Sequence, residues 1–240
     1  MSKGYKNNRS KKKDGSRYFV LYSAIIIVVI AGLVVVNQLS NDSGATNVTN
    51  IKEAPSTEGQ PMMGNPESTV SIVEFGDFKC PYCKEWTATI LPQLKKDYID
   101  TNKVSFSYVN VLFHGNESIL GSLAAEYILE TNPDKYWEFH DLLFANQPDE
   151  TSNAPWLTDD NLVAMAKQVV PDLDEEAFLK SVHDDITNPA TEAGKQVQLD
   201  KNMDDELQLQ YTPTLVVNDT EIANPLDYES IKKAIEKDLE

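Results

Sequence analysis

The residues best suited to chemistry are two cysteines in the segment Cys80-Pro81-Tyr82-Cys83, and the chain contains no others. Two intervening residues keep the sulfurs within reach of each other, so the pair can form and break a disulfide. Pro81 favours the first turn of a helix, where the N–H that proline lacks would be unpaired. Unpaired N–H groups and the helix dipole stabilise a thiolate at that position. The pattern therefore predicts that Cys80 is the exposed, reactive thiolate and that Cys83, one turn on, is its buried resolving partner.

Two other interpretations of the cysteine pair compete with redox chemistry. A purely structural disulfide is one, but a bridge that closes so small a loop constrains the unfolded chain little. A zinc site is the other, and it needs four ligands. The three histidines, His114, His140 and His183, are not spaced as a ligand pair. The sequence thus favours redox chemistry and predicts neither a metal nor another cofactor.

Glu74 and the Thr212-Pro213 pair are further candidates for the site. Glu74 ends an apolar segment six residues before Cys80. It fits either a carboxylate at a sheet edge or a partly buried carboxyl, of raised pKa, that handles the proton of Cys83. Pro213 precedes the β-rich residues 214–217, and proline suits the first residue of a strand. A cis bond is open to proline, but the sequence alone favours trans.

The elements that position these residues follow from the apolar pattern. Residues 69–75 are apolar and β-rich and predict a buried strand, and residues 104–112 alternate and predict a second. Between them, apolar residues recur every four positions from Trp86 to Tyr98, which predicts a helix that starts at Pro81. Pro92 lies within that helix and predicts a kink.

The pattern of the remaining chain predicts a block of helices followed by two strands and a final helix. Helices are predicted at 119–128, 136–144, 162–169, 173–182 and 190–206, strands at 214–217 and 221–223, and a closing helix at 226–239. This order predicts an α/β core with a helical domain inserted at about residues 115–205.

The N-terminal segment predicts a membrane anchor. Residues 1–17 form a basic tail with seven cations and one acid, and residues 18–36 carry no charge and are mostly apolar. That length spans a bilayer, with the basic tail on the cytoplasmic side. No small-x-small cleavage site follows directly, so the segment is expected to stay as an uncleaved, single-pass transmembrane helix. The remainder would then lie outside the cytoplasm.

Between the anchor and the folded domain, residues 37–68 are polar and contain three prolines. This composition predicts a flexible linker, with the folded domain at 69–240. Residues 18–240 hold 14 basic and 37 acidic side chains. So negative a surface repels phosphate backbones, which argues against nucleic acid as a partner.

Several stretches together resemble the DsbA family of extracytoplasmic thiol-disulfide oxidoreductases, within the thioredoxin superfamily. They are Gly64-Asn65-Pro66 leading into VSIVEFGDFKCPYC, KYWEFHDLLFANQ at 135–147, the helical insert, and YTPTLVVN at 211–218. The likeness covers about residues 62–240 and is greatest to membrane-anchored or secreted members from Gram-positive bacteria. It implies a thioredoxin-like fold with an inserted helical domain.

The resemblance also implies roles for particular residues. Cys80 would be the nucleophile and Cys83 the resolving cysteine, and Glu74 matches an acidic residue beneath the active site. Thr212-Pro213 would form the cis-proline loop beside the dithiol. Client peptides would contact this loop together with Pro81 and Tyr82.

Three further positions bear on the resemblance. Pro92 matches a helix kink of the family, and His140 falls in the helical insert, where a structural role is expected. Relatives often carry a glycine shortly before the TPT motif, whereas Tyr211 stands here and is expected to reshape the substrate groove.

The expected function is oxidation of cysteine pairs in exported proteins. The family implies that a quinone-linked membrane oxidase of the DsbB kind reoxidises the dithiol, because two cysteines leave no internal shuttle. Two alternatives stay open: an extracytoplasmic reductase of the same fold, and a chaperone-like binding module whose dithiol is incidental.

Overall fold

The computed structural model describes residues 49–51, 53–148 and 154–240. The basic tail predicted at 1–17 and the transmembrane helix predicted at 18–36 lie outside these residues, as do residues 37–48 of the predicted linker. Within the described ranges, no helix has the length and apolar character needed to cross a bilayer.

A sheet of six strands forms the centre of the described fold. The strands are β1 (Thr49–Asn50), β2 (Met62–Gly64), β3 (Ser71–Gly76), β4 (Ser105–Asn110), β5 (Thr214–Val217) and β6 (Thr220–Glu221). Their order across the sheet is β1-β6-β5-β3-β4-β2. Only β3 and β4 run parallel among these pairs, and the others are antiparallel.

Helices follow the strands in the predicted order. They are α1 (Pro81–Thr89), α2 (Leu91–Leu94), α3 (Asn116–Thr131), α4 (Tyr136–Asn146), α5 (Asp159–Val169), α6 (Glu175–Val182), α7 (Glu192–Leu207) and α8 (Tyr228–Leu239). A π-helical turn at Lys95–Ile99 extends α2, and a 3₁₀ turn at Pro133–Lys135 precedes α4. The arrangement is the thioredoxin-like α/β fold, with α3 to α7 lying between β4 and β5.

The sheet includes residues that the sequence pattern assigned to the linker. β2 pairs antiparallel with β4 at the edge of the sheet, with Met62 opposite Ser107. Its three residues are half-buried or exposed, and Gly64 has a φ of +82°. A three-residue edge strand is too short to show apolar alternation, so the sequence pattern did not indicate it. Because β2 pairs with β4, the folded domain begins before residue 69.

Pro92 divides the predicted long helix. α1 ends at Thr89, and the N–H groups of Gln93 and Leu94 both donate to the carbonyl oxygen of Ile90 at 3.0 Å. Proline supplies no N–H to continue the ladder of α1, so a second short helix starts there.

Side chains from both faces of the sheet enter apolar cores. On one face, Trp86 of α1 stacks on Phe106 of β4, with ring centroids 5.7 Å apart and planes 12° apart. On the other face, Val73 and Phe75 belong to a cluster that packs against Met203 and Leu207 of α7. Successive side chains of a strand point to opposite faces of the sheet, so β3 is buried on both faces. This strand lies between β5 and β4 and leads to the cysteines.

Candidate active site

Cys80 occupies the N-cap position of α1. Threonine or aspartate side chains cap α5, α6, α7 and α8, whereas no side chain in the described part of the chain caps α1. The N–H groups at this end of the helix instead stabilise the ionised form of Cys80. Its pKa is lowered to about 6, first by a hydrogen bond from the Cys83 thiol, then by Thr212 and by the backbone N–H groups of Cys83 and Tyr82, against the opposing effect of burial. The thiolate is the stable form of Cys80 at neutral pH.

Cys83 lies one turn further on. Both cysteines are buried, with 3% of Cys80 exposed and none of Cys83, so the prediction of an exposed Cys80 is wrong: the Thr212 loop packs against its sulfur. The N–H of Asp77 is directed at the Cys83 sulfur at 3.5 Å. Burial raises the pKa of Cys83 well above its ordinary value, and the nearby Cys80 raises it further. Both cysteines are free thiols in this structure. The pair thus combines a thiol that ionises easily with one that holds its proton.

Glu74 lies in the interior beneath the dithiol. Its neighbours on either side are Tyr108 of β4 and Leu215 of β5, so it stands on a central strand and not at the sheet edge. The residue is completely buried, and neither carboxyl oxygen has a hydrogen-bond partner among the described residues. Burial raises the pKa of Glu74 well above its ordinary value, and the negative charge of Cys80 adds to the effect. The carboxyl is therefore neutral and able to donate a proton.

The loop before β5 completes the site. The Thr212-Pro213 peptide bond is cis, which the sequence alone did not favour and the family resemblance implied. The Cys80 sulfur lies 3.3 Å from the carbonyl oxygen of Thr212, to which it donates when it is protonated. The structure thus brings Cys80, Cys83 and Thr212 into one cluster, with Pro81 in the first turn of α1.

Exposed aromatic side chains flank this cluster in the chain. Tyr82, between the two cysteines, is 56% exposed, and Tyr211, next to Thr212, is 42% exposed. The Tyr211 hydroxyl donates to Glu221 of β6, which ties the ring to the sheet beside the Thr212 loop. Large exposed apolar surface of this kind suits contact with another polypeptide.

Asp77 and His114 belong to the site although the sequence pattern did not indicate them. Asp77 is fully buried and accepts hydrogen bonds from the Lys79 N–H at 2.8 Å, the Ser118 hydroxyl at 2.9 Å and His114 Nδ1 at 2.8 Å. The hydrogen bond to Asp77 raises the pKa of His114. An aspartate in the short connection GDFK signals such an Asx turn, but its contact with His114 depends on the fold.

A second buried polar cluster joins β4 to the helical block. Asn110 Nδ2 donates to Glu126 Oε1 and Asp200 Oδ2, both at 2.7 Å, and Gln60 Nε2 donates to Asp200 Oδ1 at 2.6 Å. The carbonyl oxygens of Gln60 and Asn110 have no partner among the described residues. Two carboxylates with two amide oxygens are donors that suit a hard cation such as Ca²⁺. In the described ranges, no three His, Cys, Asp or Glu side chains are grouped to hold a metal.

Comparisons with known proteins agree with this geometry. The family model described as Thioredoxin matches residues 56–237. Disulfide bond formation protein D of Bacillus subtilis is 40% identical over 193 residues, which cover 77% of this chain and 79% of that protein. This chain is a thiol-disulfide oxidoreductase of the DsbA family. The start of the match at residue 56 agrees with the inclusion of β2 in the folded domain.

Further relatives extend the similarity. The probable disulfide bond formation protein D of Bacillus cereus is 36% identical over 219 residues, covering 89% of this chain and 94% of that protein. The crystal structure of oxidised BdbD from Bacillus subtilis superposes with a TM-score of 0.72 at 38% identity, covering 79% of this chain and 98% of that one. The DsbA of Chlamydia trachomatis, at 22% identity and a TM-score of 0.61, shares the fold.

Proposed function

We propose that this protein is an extracytoplasmic oxidase that introduces disulfide bonds into exported proteins through a Cys80–Cys83 dithiol-disulfide cycle. The observation that carries the proposal is the position of Cys80 at the start of α1, one turn before Cys83, where the Cys83 thiol and the backbone N–H groups of Tyr82 and Cys83 stabilise a thiolate and lower the pKa of Cys80 to about 6. Stabilising the reduced form makes the disulfide form a stronger oxidant.

The cycle begins with the Cys80–Cys83 disulfide. A client thiolate attacks the Cys80 sulfur, a mixed disulfide forms there, and the electron pair of the broken bond goes to Cys83. The second client thiolate then attacks the client sulfur of the mixed disulfide. Cys80 leaves as a thiolate, the client keeps a disulfide, and the enzyme is left reduced. Cys80 suits this second step because a thiol of low pKa is a good leaving group.

Glu74 supplies the proton that Cys83 needs in the first step. Burial raises the pKa of Cys83 well above its ordinary value, so its thiolate must be protonated when the disulfide opens. The neutral Glu74 carboxyl beneath the pair is a suitable donor, since its pKa is also raised by burial. When the dithiol is reoxidised, the Glu74 carboxylate takes the proton back.

Client recognition falls to the surface around Cys80. Thr212 and Pro213 offer backbone groups beside the reactive sulfur, and Pro81 and Tyr82 follow Cys80 in the first turn of α1. An extended client segment bound here would place its sulfur in line with Cys80. The exposed ring of Tyr211, hydrogen-bonded to Glu221, would narrow one end of that groove.

The location and the redox partner complete the proposal. The apolar residues 18–36, preceded by seven cations in residues 1–17, would anchor the protein with its catalytic domain outside the cytoplasm. A DsbB-like quinone-linked membrane oxidase would restore the disulfide. The names of the Bacillus relatives, which are disulfide bond formation proteins, support the oxidising direction.

The reduction potential of the Cys80–Cys83 couple tests this direction. The purified full chain would be equilibrated with glutathione buffers, and the reduced fraction measured by alkylation and mass spectrometry. A value near about −120 mV, the oxidising end of the range, is expected. A value near about −270 mV or below would establish the reductase alternative and overturn the proposed direction.

One variant distinguishes the chaperone-like alternative from the proposed oxidase. Cys80→Ser is expected to lose all oxidase activity on a reduced client protein, with Thr89→Ser as a control substitution on the same helix. If Cys80→Ser assisted client folding as well as the wild type, the dithiol would be incidental to the function.

A further inference from the structure

Four buried residues between the dithiol and the helical block carry polar atoms without partners. Both carboxyl oxygens of Glu74, the hydroxyls of Tyr108 and Tyr136, and Nε2 of His140 have no hydrogen-bond partner among the described residues, and all four residues are fully buried. Buried polar groups are ordinarily hydrogen-bonded, to buried water if not to protein. A group of four in one region therefore points to a connected polar path through the core.

The positions of these residues are contiguous. Glu74 and Tyr108 are partners in register on the parallel strands β3 and β4, so their side chains lie on the same face of the sheet. The Tyr108 ring lies 4.8 Å from the His140 ring at an interplanar angle of 79°, and the Tyr136 ring lies 6.1 Å from His140. Tyr108, Tyr136 and Cys83 belong to one buried cluster.

The path ends at the surface through His140. Its Nδ1 lies 3.0 Å from Oδ1 of Asp141, whose side chain is 65% exposed. A carboxylate accepts, so Nδ1 carries the ring proton and Nε2 is left as a proton acceptor inside the core. Burial lowers the pKa of His140, with Asp141 acting in the opposite direction. The imidazole is therefore neutral at rest.

Acidic groups of the described residues act electrostatically on both tyrosines of this path. Cys83, Glu74 and Asp77 act on Tyr108, and Glu126 and Asp200 act on Tyr136. Burial and these groups raise the pKa of both tyrosines well above its ordinary value. Neither tyrosine ionises, but a hydroxyl passes a proton by accepting one and donating its own. A path lined by acids favours an entering proton.

The proton cycle of Glu74 gives such a path a use. Glu74 gives a proton to Cys83 each time the disulfide opens and is then left as a buried carboxylate, which burial disfavours until it regains a proton. At that stage a client is joined to Cys80 and covers the mouth of the site, including the Thr212 loop. A route from behind the sheet would recharge Glu74 while the client is still bound.

We propose that Tyr108 and His140, with Asp141 at the surface, relay protons between Glu74 and solvent during the redox cycle. In the oxidised protein the His140 ring carries its proton on Nε2. When the disulfide opens, Cys83 Sγ takes the Glu74 proton, and the Glu74 carboxylate takes one passed from Nε2 along the Tyr108 hydroxyl and buried water. Nδ1 takes up a new proton at the surface beside Asp141, which leaves the tautomer seen in this reduced structure. In reoxidation Glu74 passes its proton back to Nε2, Nδ1 releases one at the surface, and Glu74 then takes the proton of Cys83. This inference rests on the proposed role of Glu74.

The test is the single-turnover reaction of the oxidised full chain with dithiothreitol, followed by stopped-flow Trp fluorescence in H₂O and D₂O. The variants are Tyr108→Phe, His140→Phe and Asp141→Ala. Tyr108→Phe removes only a hydroxyl, His140→Phe keeps an aromatic ring in an aromatic cluster, and Asp141→Ala changes an exposed side chain. Tyr127→Phe is the matched control, because Tyr127 packs on Phe178 within the helical block, 5.4 Å away. The Tm of each variant reports folding.

A relay predicts that Tyr108→Phe and His140→Phe each slow the reaction by at least about tenfold, as expected for loss of proton transfer. The double variant should be no slower than either single one, and the dependence of the rate on D₂O should differ from that of the wild type. Asp141→Ala should slow the reaction less, and Tyr127→Phe not at all.

Two outcomes distinguish a failure of the relay from a failure of the proposed role of Glu74. If Glu74→Gln is slow but Tyr108→Phe, His140→Phe and Asp141→Ala react at the wild-type rate, the relay is wrong and the role of Glu74 stands. If Glu74→Gln also reacts at the wild-type rate, both fail. A purely structural role for His140 would lower Tm without changing the isotope effect, and that result would likewise overturn the relay.

Discussion

The Cys80 sulfur lies 3.3 Å from the carbonyl oxygen of Thr212, although 132 positions separate the two residues in the chain. The contact exists because β5 pairs with β3, which brings the loop before β5 to the start of α1. The reactive thiol is therefore held by a loop from the far end of the sequence. Its acidity and its access to clients both depend on that loop.

Thr212→Val is expected to raise the pKa of Cys80 above its value of about 6. Thr212 stabilises the thiolate, after the larger contribution of Cys83. A hydrogen bond to a charged group is worth about 1.5–3 kcal/mol, so the pKa should rise by about one unit or more. Thiolate absorbance at 240 nm, measured against pH in the reduced protein, gives the value. Thr89→Val, at an exposed hydroxyl bonded to the Glu85 carbonyl, should leave the pKa unchanged.

The reduction potential should depend on pH with a break near pH 6. Below that pH both cysteines bind a proton on reduction, and the potential falls by about 59 mV per pH unit. Above it Cys80 stays ionised, and the slope halves to about 30 mV because only Cys83 is protonated. The Glu74→Gln variant removes the coupled carboxyl and should keep the break. A single slope from pH 5 to 8 would contradict the lowered pKa of Cys80.

The same shift sets the sign of the pH effect on stability. The pKa of Cys80 is depressed in the folded protein, so its contribution to the stability of the reduced form is fully present above the unfolded value of 9 and is lost as pH falls through about 6. Comparing urea unfolding of reduced wild type and Cys80→Ala at pH 5, 7 and 9 isolates this contribution. Their difference should grow with pH.

Cys83→Ser should trap a mixed disulfide between Cys80 and a client, because the resolving thiol is gone. The test mixes the variant with a client protein that carries a disulfide: the Cys80 thiolate attacks that bond, one client sulfur leaves as a thiolate, and the mixed disulfide persists. Non-reducing electrophoresis should show a complex that dithiothreitol cleaves. Cys80→Ser should trap none, since the raised pKa of the fully buried Cys83 keeps it a thiol, which is not a nucleophile. A complex formed through Cys83 would reverse the assigned roles.

Glu126→Gln should stabilise the protein at neutral pH. The pKa of Glu126 is raised by burial and then by the charge of Asp200, so the folded state holds a proton that the unfolded chain releases. Stability then falls as pH rises above the ordinary glutamate value, and an amide removes this loss. Thermal unfolding in a chelating buffer at pH 5 and pH 8 measures it. If the Tm of Glu126→Gln differed from that of the wild type by the same amount at both pH values, the Glu126–Asp200 pair would not lower stability as pH rises.

Gly76→Ala should destabilise the fold by about 1–3 kcal/mol, the usual cost of overpacking. An added Cβ would lie 2.4 Å from the Tyr108 ring, and the tightly packed ring has little room to move. The free energies of unfolding in urea of the wild type, Gly76→Ala, Tyr108→Leu and the double variant form a double-mutant cycle. The cost of the alanine should shrink when Tyr108 is leucine, and an unchanged cost would place the strain elsewhere.

The sequence by itself determined the local chemistry and the order of the elements. The CPYC spacing and Pro81 indicated a thiol at a helix start, because both depend on residues within one helical turn. Apolar periodicity likewise indicated β3, β4 and the helices of the inserted block. The sequence pattern missed β2, since a three-residue edge strand has no periodicity to detect.

Only the tertiary structure decided the electrostatic state of the site. From the sequence, Glu74 fitted an edge carboxylate as well as a buried acid, and the pairing of β3 between β4 and β5 resolved this. The contacts of Asp77 with His114, and of His140 with Tyr108, likewise join residues far apart in the chain. Burial and charge act through space, so pKa values follow from which distant segments pack together and not from spacing along the sequence.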